Sequence, residues 1–392
     1  MSDDMDAIVI DNGSGVFKAG YAGEDTPRAV FPSCTGTVKN PEWFAAQAAP
    51  TLKTELRDRE TFVGNECQQF RDFLEIANPI NRGVVEDWDA LERVWEFIFT
   101  HELRVNPETA TLPVRAAARI PPELLWFLMI LCTSSPASSK QQQERMAQIM
   151  FESQKAYGFY FMNQCVLSLF ASGRTRGIVV EVGHGSSHAI PIFEGYALPH
   201  AALHYNVGGV DISHRLHKLL SKRGHAFHAL QAQTINEIKE ATCVLASKHD
   251  RLTIPPQPTG AASEGNQTLA EDGSKPFELP DGTIVQVDKH TRLAPAEILF
   301  KPQDLSDDQA VKPTKGLHEL VAESISMCDK DLQKDLFDGV ILAGGTTMLP
   351  GFSRRFHEEL VGATKKTSLC VVPDANQEWE EYHEGILDRK CF

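Results

Sequence analysis

Two spacings of apolar residues recur along this chain, and they alternate. Short β-branched runs end at an acid and a glycine: Ala7–Ile10 (AIVI) runs into Asp11, and Ile178-Val179-Val180 runs into Glu181. Between such runs, apolar residues return every three to four positions, as on one face of a helix. Trp88, Leu91, Trp95 and Ile98 form one stripe, with Asp87 placed to cap it. Ile212, Leu216, Leu219 and Leu220 form another. Thr234-Ile235-Asn236-Glu237 has the form of a capping box opening a third helix. Val340–Ala343 is expected as a buried strand, followed by Gly344-Gly345 and a helix carrying Phe352, Phe356 and Leu360. Alternation of this kind predicts an α/β fold.

The intervals between these elements are informative too. Pro41–Arg57 has no period, Asn106–Pro122 is rich in proline and alanine, and Pro255–Pro276 is rich in glycine, proline, serine and acids. All three are expected as surface loops or insertions. Asp281-Gly282, between Glu278-Leu279 and Thr283–Val287, signals a hairpin. One weak internal repeat stands out. Ile8–Gly15 (IVIDNGSG) and Ile178–Gly185 (IVVEVGHG) both read as a β-branched strand, an acid, one residue and Gly-x-Gly, with Asp11 and Glu181 170 residues apart. The spacing is about one domain, so two domains of similar build are expected, which suits a chain of 392 residues.

Composition narrows the classes. With 42% hydrophobic and 23% charged residues the chain can bury ordinary globular cores. Its net charge of −15 repels phosphate backbones, so no nucleic-acid partner is expected. The eight cysteines include no CxxC pair, and no Cys/His cluster has zinc spacing. The acidic stretch Met1–Asp6 lacks the apolar core of a secretory signal. The longest apolar run, Leu124–Cys132, falls short of the ~20 residues that span a bilayer, so no membrane span is expected. Free thiols without a targeting segment point to the cytosol or nucleus.

The candidate chemistry lies in the glycine turns. In Asp11-Asn12-Gly13-Ser14-Gly15, returning through Val16-Phe17-Lys18, glycines let backbone N–H groups crowd a phosphate. Ser14 adds a hydroxyl, Lys18 a positive charge, and Asp11 a carboxylate for a hydrated Mg²⁺. One such turn is more often the end of a plain hairpin. The second, around Glu181, and the Gly-Gly turn in Asp338–Met348 shift the balance toward a nucleotide.

Longer motifs carry a resemblance. DNGSG followed by KAGYAGE, PRAVFPS (Pro27–Ser33), HELRV (His101–Val105), QIMFE (Gln148–Glu152), VLSLFASGRTRGIVV (Val166–Val180), PIFEGYALPHA (Pro191–Ala201), the ELPDG hairpin, GGTTMLPG (Gly344–Gly351) and the terminal RKCF resemble actin, in order, over nearly the whole chain. The resemblance implies an actin-like ATPase fold of the ribonuclease H-like kind, with two related α/β domains around a nucleotide cleft. Residues 1–170 with 372–392 would form the first and 171–371 the second. It implies ATP or ADP with Mg²⁺ or Ca²⁺ as ligands. Asp11, Gly13, Ser14, Gly15 and Lys18 match the first phosphate loop; Gly183, Gly185 and Ser186 fall on the second. Gln164 matches the residue that orients the attacking water, and His188 a second position of that water network. Asp11 and Glu181 would hold the metal through water. Gly209, Lys239, Glu240, Gly345, Thr346 and Met348 match residues around ribose and adenine.

The chain departs from the family pattern at points that bear on chemistry. Glu181 and His184 stand where the second loop has aspartates, Ser134 replaces a glutamate, and Arg82 replaces a methylatable histidine. Val210 and Asn236 replace arginines beside ribose and base. After Val371-Val372-Pro373 the segment with Trp-Ile-Gly-Gly and a long helix is absent. Thr37–Arg57 shares little with actin's subunit-inserting loop, and the plug region Gln303–Lys315 is polar. The resemblance therefore implies a cytoplasmic, cytoskeletal ATP-binding protein with slow hydrolysis. Its partners would be actin-like subunits, its own copies or conventional actin, and actin-binding proteins. The alternative is a non-filamentous scaffold that uses ATP as a structural ligand; a small-molecule kinase is disfavoured by the extent of the actin motifs.

Overall fold

The computed structural model describes residues 7–39, 61–71, 73–104, 129–136, 138–225, 227, 232–247, 273–279, 282–302, 315–364 and 371–372. Contacts divide the chain into two compact units that part between Gly173 and Arg174. Each is built around its own sheet.

In the first unit, β1 (Ala7–Asn12) is the central strand. Ile8, Val9 and Ile10 are all buried, as an unbroken apolar run demands when both faces are covered. It pairs antiparallel with β2 (Val16–Tyr21), which pairs antiparallel with β3 (Ala29–Pro32). On its other side β1 pairs parallel with β4 (Met129–Ser134), and β4 parallel with β5 (Gly158–Asn163). Helix α1 (Trp88–Phe97) forms where the 3.6 period places it. Asp87 caps it, Oδ1 accepting from Ala90 N at 2.9 Å, and Leu91, Val94 and Trp95 are buried against the sheet core. Helices α2 (Lys140–Glu152) and α3 (Gln164–Ala171) follow β4 and β5. A separate three-stranded sheet, Thr35–Val38 with Thr61–Val63 and Leu74–Ala77, closes over Cys34, Phe62, Cys67 and Leu74.

The second unit repeats the plan. Strand β6 (Gly177–Val182) is central, antiparallel to β7 (Ser187–Phe193), which is antiparallel to β8 (Tyr196–Ala197) and also to β9 (Leu203–Tyr205). Helices α4 (Gly209–Lys222) and α5 (Ala232–Thr242) follow, then α6 (Leu317–Ser326), α7 (Lys330–Asp338), β10 (Val340–Ala343), α8 (Phe352–Thr364) and β11 (Val371–Val372). β10 is parallel to β6, and β11 parallel to β10. The order β8-β7-β6-β10-β11 therefore matches β3-β2-β1-β4-β5 strand for strand in direction. The repeat read from Asp11 and Glu181 is a repeat of the sheet itself. The expected domain limit at 371 falls inside β11, whose Val372 pairs with Ile341.

Two expectations need correcting. Thr234 does not open a helix: Ala232 and Gln233 are already helical, and Thr234 is buried inside α5. Its apolar stripe, Ile235 and Ile238, packs into the core and draws the helix back past the capping sequence. Lys275 and Pro276 belong to a strand, Lys275–Glu278, that pairs with Ile284–Val287 through a turn in which Gly282 has φ of 81°. The hairpin was expected; the strand's earlier start was not. Pro41–Arg57, Asn106–Pro122, most of Pro255–Pro276, residues 303–314 of the plug region and the chain after Val372 lie outside the described residues.

The second unit's core also encloses an ionic cluster. Arg355 in α8 is fully buried and donates to both oxygens of Glu297 at 2.8 and 3.0 Å, to Glu359 at 3.0 Å and to the carbonyl of Ala246 at 2.9 Å. Its guanidinium also lies over the ring of Phe300. Removing one member of such a cluster strands buried charge. Arg355→Met is expected to lower unfolding free energy by about 3–5 kcal/mol in urea titrations, more than an exposed Arg354→Met. A loss under about 1 kcal/mol would show that the cluster is not a stability element.

Candidate functional site

Each unit carries an acid-bearing hairpin at the same place in its sheet. In the first, Asp11 is the penultimate residue of β1 and lies opposite Lys18, with Nζ to Oδ2 at 3.7 Å. In the second, Glu181 holds the same position in β6 and lies opposite His188. The closing pairs are Asn12 with Phe17 and Val182 with Ser187, so four residues span each turn. The two halves of the repeat thus present an acid in one register.

The first turn is held from several sides. Thr133 Oγ1, on neighbouring β4, donates to Asp11 Oδ1 at 2.7 Å and accepts from Asn12 N at 3.1 Å. Asn12 Oδ1 in turn accepts from Trp95 Nε1 at 3.0 Å, which ties the turn to α1. Gly83 N donates to Ser14 Oγ at 2.8 Å, and Ser33 N donates to the carbonyl of Gly15 at 2.9 Å. A Cβ on Gly13 would lie 2.3 Å from the carbonyl oxygen of Val16, so no side chain fits there. Gln164 is the first residue of α3, half-buried, with Asn163 capping the helix through Cys165 N at 2.9 Å. Ile10 lies level with Cys132, and Ser134 with Asn163, so Asp11, Thr133 and Gln164 stand at one edge, where three parallel strands end. Ligands of α/β sheets bind at such carboxyl ends. Burial pushes the thiol of Cys132 up to about 12, so it offers no nucleophile. The six cysteines among the described residues are all buried, and none of them is in a disulfide.

In the second unit four elements meet at the turn. Gly183 N donates to the carbonyl of Ser186 at 2.9 Å. The carbonyl of Gly183 accepts from Gly209 N at 3.0 Å and from Thr346 Oγ1 at 2.9 Å, and the carbonyl of His184 accepts from Val210 N at 2.7 Å. The first turn of α4 and the residues after β10 are thus fastened to one four-residue loop. Gly208 lets them close up, because a Cβ there would lie 2.6 Å from the carbonyl oxygen of His184. Gly344, with φ of 91°, would place a Cβ 2.4 Å from the carbonyl oxygen of Val182. Gly345 has open space on the side where a Cβ would project.

Beside this loop lies Lys239 of α5. It is buried, and its Nζ donates to the carbonyl of Gly209 at a long 3.4 Å. Burial drives its pKa below the usual lysine range. An ammonium with three hydrogens and one distant acceptor is suited to a ligand that brings acceptor oxygens. Thr346 is buried and Met348 half-buried in the turn after β10; Glu240, also on α5, is exposed. The donor set is therefore glycine-turn backbone, hydroxyls and an ammonium, and it fits a phosphorylated nucleoside. Among the described residues no three His, Cys, Asp or Glu side chains converge on a direct metal site. No helix of the described residues is long and apolar enough to cross a membrane.

Sequence reasoning did not find Thr133, Trp95 or Gly208 as parts of the site. Thr133 follows a long apolar run that ends at Cys132, and that switch to polar side chains was its only signal. His204 carried none at all. It lies opposite His188 on β9, and their Nδ1 atoms are 3.1 Å apart.

His188 is 1% exposed, and burial together with His204 lowers its pKa from 6.5 to about 3. The native state thus excludes a proton that the unfolded chain binds below pH 6.5. Its neutral form costs nothing above that pH, and stability is lost as pH falls from 6.5 toward 3, by about 1.4 kcal/mol per unit. Between pH 7 and 5.5 the protein is expected to lose about 1 kcal/mol more stability than its His188→Gln variant in urea titrations. Equal losses would place the proton elsewhere.

Comparison with known families gives one match that spans most of the chain: the family model described as Actin covers residues 2–384 of 392.

Proposed function

The chain belongs to the actin family, and from that membership we propose that it is an ATP-binding cytoskeletal protein of the cytoplasm that hydrolyses its nucleotide slowly. The observation that carries the reading is the duplicated hairpin. Two units place an acid at the same register beside a glycine turn of the same length. In the first unit the backbone of Gly13–Gly15, the hydroxyl of Ser14 and the ammonium of Lys18 would receive phosphate oxygens. In the second, Gly183, Gly185 and Ser186 would receive phosphate. Gly209, Lys239, Glu240, Thr346 and Met348 would surround the sugar and base, and the open face of Gly345 suits a flat ring.

A bound Mg²⁺ or Ca²⁺ would neutralise phosphate charge, with Asp11 and Glu181 accepting from its water shell. Thr133 orients the carboxylate of Asp11 for that task. Gln164 would orient a water for attack in line with the leaving oxygen. Glu181 sets its carboxylate one methylene further from the strand than an aspartate would, and displacement near 1 Å can cost about 10²-fold in rate. Slow turnover follows from that change and from His184 in place of a carboxylate.

Assembly with actin-like subunits, its own copies or conventional actin, and recognition by actin-binding proteins are the partners this reading assigns. The polar sequence Gln303–Lys315 favours a second reading, a non-filamentous scaffold that keeps ATP as a structural ligand. Isothermal calorimetry of the full chain with Mg-ATP tests the shared premise: saturable binding supports it, and no heat from folded protein removes it. Sedimentation with Mg-ATP separates the two readings, since pellet that grows above a critical concentration supports polymerisation. Gly344→Ala is expected to weaken Mg-ATP binding more than tenfold, because the new methyl displaces the strand end that frames the turn. Gln164→Ala is expected to leave affinity within about threefold and lower single-turnover hydrolysis by about 10²-fold.

A further inference from the structure

Glu181, His188 and His204 lie in one cross-strand row over β6, β7 and β9, running from the acid beside the second glycine turn to an exposed side chain. Side chains directly opposite one another in a sheet share a face. Hydrogen bonds continue the row. His188 Nε2 is 3.2 Å from Ser186 Oγ in the turn, His188 Nδ1 is 3.1 Å from His204 Nδ1, and His204 Nε2 meets Asn206 Oδ1. His188 is buried, whereas His204 and Asn206 reach solvent.

The order of donors follows from the last contact. An amide oxygen only accepts, so His204 Nε2 carries hydrogen. A neutral imidazole has one N–H, so His204 Nδ1 is bare and accepts. His188 Nδ1 must then carry the hydrogen between the rings. That leaves His188 Nε2 bare, and Ser186 Oγ–H donates to it. An Asn206 that presented its NH₂ instead would reverse every donor in the chain.

We propose that His204 and Asn206 are positioning residues that hold His188 as its Nδ1–H tautomer, so that Nε2 is a proton acceptor at the second glycine turn. The proposal rests on the reading of that turn as a phosphate loop, but its geometry does not depend on a ligand. Neither residue touches substrate; both act through His188. What they supply is an acceptor facing the turn, backed by a hydrogen-bonded path to the surface, where a plain buried histidine could as readily have presented Nε2–H. Ser186 is thereby kept as a donor toward His188, with its lone pairs left toward the turn.

The test is two-bond ¹H–¹⁵N correlation on the full chain labelled at histidine, at pH 8, with His188 assigned by its loss in His188→Gln. The expected spectrum shows protonated Nδ1 and bare Nε2 for His188. Asn206→Asp, whose carboxylate only accepts, is expected to preserve it. Asn206→Leu and His204→Phe are expected to release it, so that the bare nitrogen is no longer confined to Nε2, with circular dichroism unchanged. A His188 that carries Nε2–H in the unaltered protein, or one unchanged in Asn206→Leu or His204→Phe, overturns the proposal. Because both substituted positions are exposed, one variant serves if the other fails to fold. Calorimetry with Mg-ATP on the same sample separates the two readings: no affinity while the Nδ1–H form is present removes the nucleotide reading and leaves the tautomer assignment standing.

Discussion

A carboxylate at the end of a buried strand has to be held in place without being neutralised, and the structure around both hairpins answers to that constraint. Asp11 leaves β1 where the sheet stops covering it. A direct buried ion pair would fix it but quench its charge. Thr133 instead donates a single hydrogen bond at 2.7 Å, and Lys18 stays at 3.7 Å with a third of the carboxylate side chain still exposed. The same threonine oxygen accepts from Asn12 N, so strand, turn and acid are set by one hydroxyl on the neighbouring strand. That arrangement needs β4 parallel to β1 and level with it, hence a crossover connection, and hence the layered α/β plan of the whole unit.

The second unit anchors its glycine turn with different parts. Its loop is fastened through carbonyls, Gly183 accepting from both Gly209 N and Thr346 Oγ1. The first amides of α4 are spent on the loop, and Lys239 sets a buried ammonium beside it. Opposite the acid, the half-buried lysine of the first unit is replaced by a buried histidine backed by another. One duplicated plan has thus diverged into a half that sets a lysine opposite its acid and a half that sets a hydrogen-bonded histidine pair there. The difference lies in residues 18 and 188, at one register position.

Legibility in the sequence tracked how local the cause was. The strand Ala7–Ile10, the helix from Trp88 with its Asp87 cap, the stripe of α4 and the Asp281-Gly282 hairpin were all readable, because periodicity, capping and turn chemistry act over a few residues. Thr234 was misread because its capping sequence is local while the pull of Ile235 and Ile238 into the core is not. Most of the glycines and acids of the site were visible from their spacing. Thr133, Trp95 and Gly208 were not, since each matters through a contact with a residue far along the chain.

The sequence by itself determined that two β-branched strands would each end in an acid and a glycine turn, since β propensity and the backbone freedom of glycine belong to the residues themselves. Only the tertiary structure decided that Asp11 is met by a threonine and Lys18, and that His188 is sealed from water beside His204. Those outcomes depend on which strands become neighbours and in what register, and register is a property of the folded sheet that no short window of sequence contains.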